Sequence, residues 1–165
     1  RVLMDNAKRY AYYSKSVLST LPHLFWVPDI FVCNGWQSSL IPSYYKNEYE
    51  DTSDFYKKIK TILVIHDLDE YSKIERSELV DLGVKIDSNI KGNKLNIYDV
   101  ASYNSDAILI IDRPGEKIST KLLKKTAFKD NKDKITIFDQ KDIEDIDFYS
   151  MTESLNQVIS DITSK

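Results

Sequence analysis

Four short apolar runs punctuate the chain: Ile30-Phe31-Val32-Cys33, Thr61-Ile62-Leu63-Val64-Ile65, Ala107-Ile108-Leu109-Ile110-Ile111 and Ile135-Thr136-Ile137-Phe138. Each is short and stops abruptly at polar residues, as do strands buried on both faces of a parallel sheet. The segments between them carry a helical period. Over 5–21, Ala7, Tyr10, Ala11, Ser14, Val17, Leu18 and Leu21 share one face, and Pro22 ends the pattern because it disfavours helical geometry in the residue before it. A second helix is expected over 38–49, with Leu40, Ile41, Tyr44 and Tyr45 on one side and Pro42 in its first turn. The acidic stretch 48–54 reads as a loop or a short helical turn. Further helices are expected over 69–82 (ended by Gly83), 95–103 and 116–128, with a polar loop over 84–94 and a solvated turn over 128–134. A last helix, broken near Asp147, runs from Asp142 to about Ile162.

Strands alternating with helices predict an α/β fold, a Rossmann-like parallel sheet flanked by helices. Ligands of such sheets sit beyond the carboxyl ends of the strands. That directs attention to two polar clusters, Asn34-Gly35-Trp36-Gln37 after the first run and His66-Asp67 after the second.

Composition narrows the setting. A chain of 165 residues suits one domain, and 42% hydrophobic with 30% charged residues is a folding composition. The net charge of −3, with both signs interspersed, supplies no footprint for nucleic acid and no basic face for a membrane. The lone cysteine, Cys33, lies inside an apolar run, so no disulfide forms within the chain; it reads as a small core residue rather than a nucleophile, in a reduced, cytoplasmic compartment. No apolar run reaches membrane-spanning length and no signal-peptide pattern is present. The start at Arg1, without a start-like region, predicts a fragment of a longer protein.

His66 is the sharpest candidate. At a strand end it can bond a sugar hydroxyl or trade a proton near neutral pH; the competing reading is a polar residue satisfied by backbone. Asn34, Trp36 and Gln37 have the composition of a carbohydrate site, two amides for hydroxyls and an indole for a sugar's C–H face. The plainer reading is a cap, a tight turn at Gly35 and a buried aromatic. His23 and His66 lack a third ligand at a suggestive spacing, so no metal is assigned. Arg113-Pro114-Gly115-Glu116 reads as a plain turn in preference to a phosphate cradle, the tyrosines at helical spacing as core or rim, and the acidic stretch 139–147 as a solvated face.

Taken together, these motifs carry a family resemblance. Tyr10-Ala11-Tyr12-Tyr13-Ser14-Lys15, Trp26-Val27-Pro28-Asp29-Ile30, Asn34-Gly35-Trp36-Gln37-Ser38-Ser39-Leu40-Ile41-Pro42 and Lys60-Thr61-Ile62-Leu63-Val64-Ile65-His66-Asp67-Leu68 resemble the N-terminal catalytic domain of bacterial glycogen (starch) synthases. The resemblance is strong over 8–68 and weaker over 96–107, where Asp106-Ala107 precedes a strand. It implies glycosyltransferase family 5, a two-lobed GT-B fold, ADP-glucose as donor and α-1,4-glucan as acceptor, with no cofactor. It also implies that His66 is catalytic, contacting the transferred glucose, and that Asn34, Trp36, Gln37 and Asp67 line the acceptor side.

The departures matter as much. The family's His-Asp-Trp-His stands here as Asn34-Gly35-Trp36-Gln37, its His-Asn-Leu as His66-Asp67-Leu68, and its Tyr-Gln-Gly as Glu70-Tyr71-Ser72. A lysine of the later helix falls on Asp99. The expectation is one domain over 1–165, a partial GT-B N-lobe lacking its start and any C-terminal nucleotide-binding lobe, as in short stand-alone N-lobes resembling those of Bacteroidetes-type bacteria. Alone it is expected to be inactive, its partners being α-glucan or ADP-glucose and a protein chain or second copy that completes the cleft. The alternative is a non-catalytic glucan-binding or protein-interaction module. A third reading is a different enzyme using the same pocket.

Overall fold

A computed structural model describes residues 5–142 and 147–164. In chain order the elements are α1 (Asn6–Thr20), β1 (Ile30–Asn34), α2 (Leu40–Tyr44), β2 (Lys60–Ile65), β3 (Lys73–Glu75), α3 (Arg76–Asp81), β4 (Lys94–Asn96), α4 (Ile97–Asn104), β5 (Ala107–Asp112), α5 (Ile118–Leu122), α6 (Thr126–Asp130), β6 (Ile135–Asp139) and α7 (Phe148–Thr163). The four apolar runs form one parallel sheet in the order β1-β2-β5-β6.

Alternation along the strands decides what each face meets. On one side Cys33, Leu63, Ile65, Ile108 and Ile110 are buried in the main core with Ala7, Ala11 and Leu18 of α1, Leu40 and Tyr44 of α2, and Ile97 and Ala101 of α4. On the other, Ile62, Val64, Ala107, Leu109 and Phe138 meet Val158 and Ile162 of α7, with Met151, Leu155 and Ile159 alongside. Asp147 caps α7, its carboxylate accepting the Ser150 backbone N–H. The helix of α1 buries Ala7, Ala11, Ser14 and Leu18, the face its period predicts.

Several sequence expectations are corrected. Burial on both faces holds for β2 and β5 but not for the two edge strands: Val32 of β1 is 47% exposed and Ile137 of β6 is 44% exposed. The segment 69–82 is not one helix. Lys73–Glu75 pairs antiparallel with Lys94–Asn96, so the helix expected over 95–103 starts two residues late, at Ile97, and α3 is confined to Arg76–Asp81. The Arg76 guanidinium donates to the Gly92 and Ile90 carbonyls, and its backbone N–H to the Asn93 carbonyl, tying this pair together across the intervening loop. The helix expected over 38–49 is α2 followed by a wider π turn, Tyr45–Tyr49. That expected over 116–128 is two short helices, α5 and α6. The break expected near Asp147 is where α7 begins, at Phe148; Asp142 itself is not helical, and 143–146 of the acidic stretch lie outside the described residues.

Candidate functional site

The same alternation that places Val32, Val64, Leu109 and Phe138 on the α7 side places the next polar residue of each strand there too. Asn34, His66, Arg113 and Gln140 follow in step at the carboxyl ends of β1, β2, β5 and β6, and all four line a groove of about 640 Å³. Its floor is Val32, Val64, Leu109 and Ile111, and its far wall is Phe148, Met151, Thr152 and Leu155 of α7. The groove exists because α7 covers β5 and β6 while no described helix covers β1 on that side.

Gly35 turns the chain out of β1. Its φ of +73° and ψ of 175° are open essentially to glycine alone. A Cβ there would meet Gln37 Oε1 at 2.9 Å and His66 Nε2 at 3.3 Å, so the first and second strand ends are in close approach. The turn continues into one 3₁₀ turn, Trp36–Ser38, in which the Ser39 hydroxyl donates to the Gly35 carbonyl at 2.9 Å.

The predicted site residues separate into two groups. Asn34 and Gln37 are exposed at the strand end, and His66 and Asp67 are half-buried beside them. Trp36 is not at the surface: it is 4% exposed, with Tyr10 packed edge-on against its indole at 4.8 Å between ring centroids. It therefore presents no open ring face to a sugar. His23 lies on the 3₁₀ turn Leu21–Leu24 ahead of the amino end of β1, whereas His66 follows the carboxyl end of β2. Among the described residues no three His, Cys, Asp or Glu side chains gather as a metal site.

His66 is held. Its Nδ1 lies 3.2 Å from Asp67 Oδ2, while Asp67 Oδ1 accepts the Tyr98 hydroxyl at 3.3 Å. Tyr98 is fully buried at the start of α4, whose Asn96 caps the helix by accepting the Tyr98 backbone N–H at 2.9 Å. Burial, then the neighbouring Asp67 charge, push the Tyr98 phenol upward, so it stays a proton donor. Cys33 stands one residue from Asn34 but faces the core, and burial raises its thiol to about 12, which removes it as a nucleophile near neutral pH.

Arg113 opens a tight turn in which its own N–H donates to the Glu116 carbonyl and the Glu116 N–H donates back, with Gly115 at φ +77°. The turn is as read from the sequence, but the residue also lines the groove. Gln140 enters through the pairing of β6 with β5, its N–H donating to the Asp112 carbonyl at 2.9 Å. Asp99 is paired with Lys125, whose ammonium reaches both carboxylate oxygens at 2.8 and 2.9 Å. Burial still holds its carboxyl above the ordinary range, with the lysine opposing that shift.

An open parallel sheet with polar groups converging beyond its strand ends is the ligand-binding half of an α/β lobe. The family model for the starch synthase catalytic domain matches residues 2–114, and the chain belongs to that family. Glycogen synthase of Lachnospira eligens is 36% identical over 109 residues, which are 66% of this chain and 23% of that protein. Glycogen synthase of Clostridium perfringens is 35% identical over 109 residues, 66% of this chain and 22% of its own length. The chain thus spans less than a quarter of these relatives. The catalytic domain of starch synthase IV from Arabidopsis thaliana, solved bound to ADP and acarbose, shares the fold with a TM-score of 0.67 at 18% identity, over 84% of this chain and 30% of that one. The parallel α/β architecture is therefore that of a glycogen/starch synthase-like glycosyltransferase domain, in its N-terminal region. No helix among the described residues is long and apolar enough to cross a membrane.

Proposed function

We propose that this chain is the acceptor-side lobe of a glycogen or starch synthase-type site, binding α-1,4-glucan in the groove beyond β1 and β2. It transfers no glucose from ADP-glucose by itself. The observation that carries this is the convergence of Asn34, Gln37, His66 and Asp67 at adjacent strand ends, beside a groove of about 640 Å³. Amides, an imidazole and a carboxylate match a ligand rich in hydroxyls. His66 contacts the sugar, Asn34 and Gln37 bind its hydroxyls, and Asp67 acts through His66; Trp36 supports the turn from beneath rather than stacking on the ligand.

Inactivity alone follows from charge. Releasing a nucleoside diphosphate calls for several positioned cations, and Arg113 is the one permanently charged cation among the groove-lining residues. A cytoplasmic setting, and completion of the cleft by a second lobe, belong to the same reading. Titration of the chain with maltoheptaose should show saturable binding that His66→Ala weakens about tenfold, the worth of one lost ligand hydrogen bond. Incubation with ADP-glucose and glycogen should leave the glycogen unlabelled. Glucose transfer by the purified chain would sink the inactivity claim, and absence of maltoheptaose binding would sink the glucan reading.

A further inference from the structure

The groove runs past four strand ends, and Asn34 and His66 occupy the first two. Arg113, Gln140 and Phe148 stand at its other end, beyond β5 and β6. Gln140 and Phe148 also lie outside residues 2–114, the part that matches the starch synthase catalytic domain.

Phe148 is the one phenyl, phenol or indole ring among the residues that line the groove. It is 64% exposed, so the core does not use it, although α7 buries Val158 and Ile162 further along. Its place is fixed by the helix cap. Asp147 accepts the Ser150 backbone N–H at 2.9 Å and the Ser150 hydroxyl at 2.6 Å, which sets the first turn of α7. Gln140, by contrast, is 8% exposed. Its side-chain Nε2 donates to the Asp142 carbonyl at 2.5 Å, and because a carbonyl accepts and never donates, the two ends of the amide are settled. Among the described residues no hydrogen bond uses Oε1, so a nearly buried acceptor stands unpartnered at the groove. Arg113 is exposed and supplies donors; among the described residues no carboxylate pairs with its guanidinium.

An open ring beside a donor and an acceptor complements a sugar, which carries C–H groups on its face and hydroxyls round its edge. An acyl chain would cover Phe148 but leave the Gln140 oxygen with neither water nor partner. Gln140 lies two strands from His66, about 10 Å at the ordinary strand spacing and farther than one sugar ring reaches. We propose that Phe148, Gln140 and Arg113 form a second sugar subsite. A glucosyl unit stacks on Phe148, donates a hydroxyl to Gln140 Oε1 and accepts from Arg113. The chain therefore holds glucan along a run of units, from His66 across β5 to α7.

This rests on the glucan reading and extends it. Calorimetric titration of the intact chain with maltoheptaose is the test. Phe148→Ala should weaken binding about tenfold, and Phe148→Tyr, which keeps the ring, by less than about twofold. The urea midpoint should not move in either variant, because the ring is exposed. Since the two subsites are separate, the loss should multiply with that of His66→Ala in the double variant. Unchanged affinity in folded Phe148→Ala, or no further loss in the double variant, overturns the subsite and leaves the glucan reading standing. Absence of maltoheptaose binding by the wild-type chain overturns both.

Discussion

Along β2, Leu63 and Ile65 turn toward α1, α2 and α4, while Ile62 and Val64 turn toward α7. The residues are of one kind, but the two faces end differently. The inner face is sealed from β1 to β5 by several helices, and every inward apolar residue of β2 is buried. On the outer face a single helix serves β5 and β6 and leaves the β1 side open, so Val32 stays in solvent and the strand-end residues in step with it line a groove. The site is thus a product of incomplete cover. Polar residues at strand ends become a binding surface only on the face that the helices leave free.

Substitutions that probe the inner face should have the largest effect. Leu63 is fully buried in the central strand. Leu63→Ala removes apolar contact on the sealed side and should cost about 2–5 kcal/mol in urea unfolding. A cost below about 1 kcal/mol would mean that the inner helices do not seal this face as described.

Gly35→Ala probes the junction between the faces, where β1 turns toward the groove. The backbone conformation there is closed to other residues, and the new Cβ would sit 2.9 Å from Gln37 Oε1 and 3.3 Å from His66 Nε2. Strain of this kind costs about 1–3 kcal/mol. Because one neighbour is His66, maltoheptaose binding should weaken as well. A variant as stable as the wild type, with unchanged affinity, would show that the two strand ends are not in close approach.

The sheet was legible in the sequence because its signal is local: four apolar runs, each ended by polar residues, became β1, β2, β5 and β6. The β3–β4 pair was not, since Lys73-Ile74-Glu75 holds one apolar residue and Leu79 and Leu82, just after it, keep a helical spacing. What makes β3 a strand is a partner about twenty residues away, and Arg76 bridging to the Ile90 and Gly92 carbonyls. The site divides the same way. His66 was legible from its place after a buried strand. Gln140, Phe148 and Tyr98 were not, because they reach it through the β5–β6 register, the course of α7 and the cap of α4. For Trp36 the sequence left sugar contact and burial open, and the packing against Tyr10 is what puts the indole inside.

The smallest effect belongs to the open face, and it is the most telling. Val32 is a β-branched residue in the middle of a strand, flanked by Phe31 and Cys33, and by sequence it looks like core. Its 47% exposure follows from two circumstances, its place on the edge strand and the reach of α7, which stops short of β1. Truncating a side chain that already meets water removes little burial, so Val32→Ala should change stability by no more than about 0.5 kcal/mol, a small part of it lost β-propensity. The same substitution widens the groove floor beside Asn34 without touching a polar group, so hydroxyl contacts at His66 should survive and maltoheptaose affinity should stay within about twofold, a few tenths of a kcal/mol. Urea unfolding and calorimetric titration of this one variant measure both. A stability loss approaching that of Leu63→Ala would show that the outer face near β1 is covered in solution, and the contrast between the two faces would then fall.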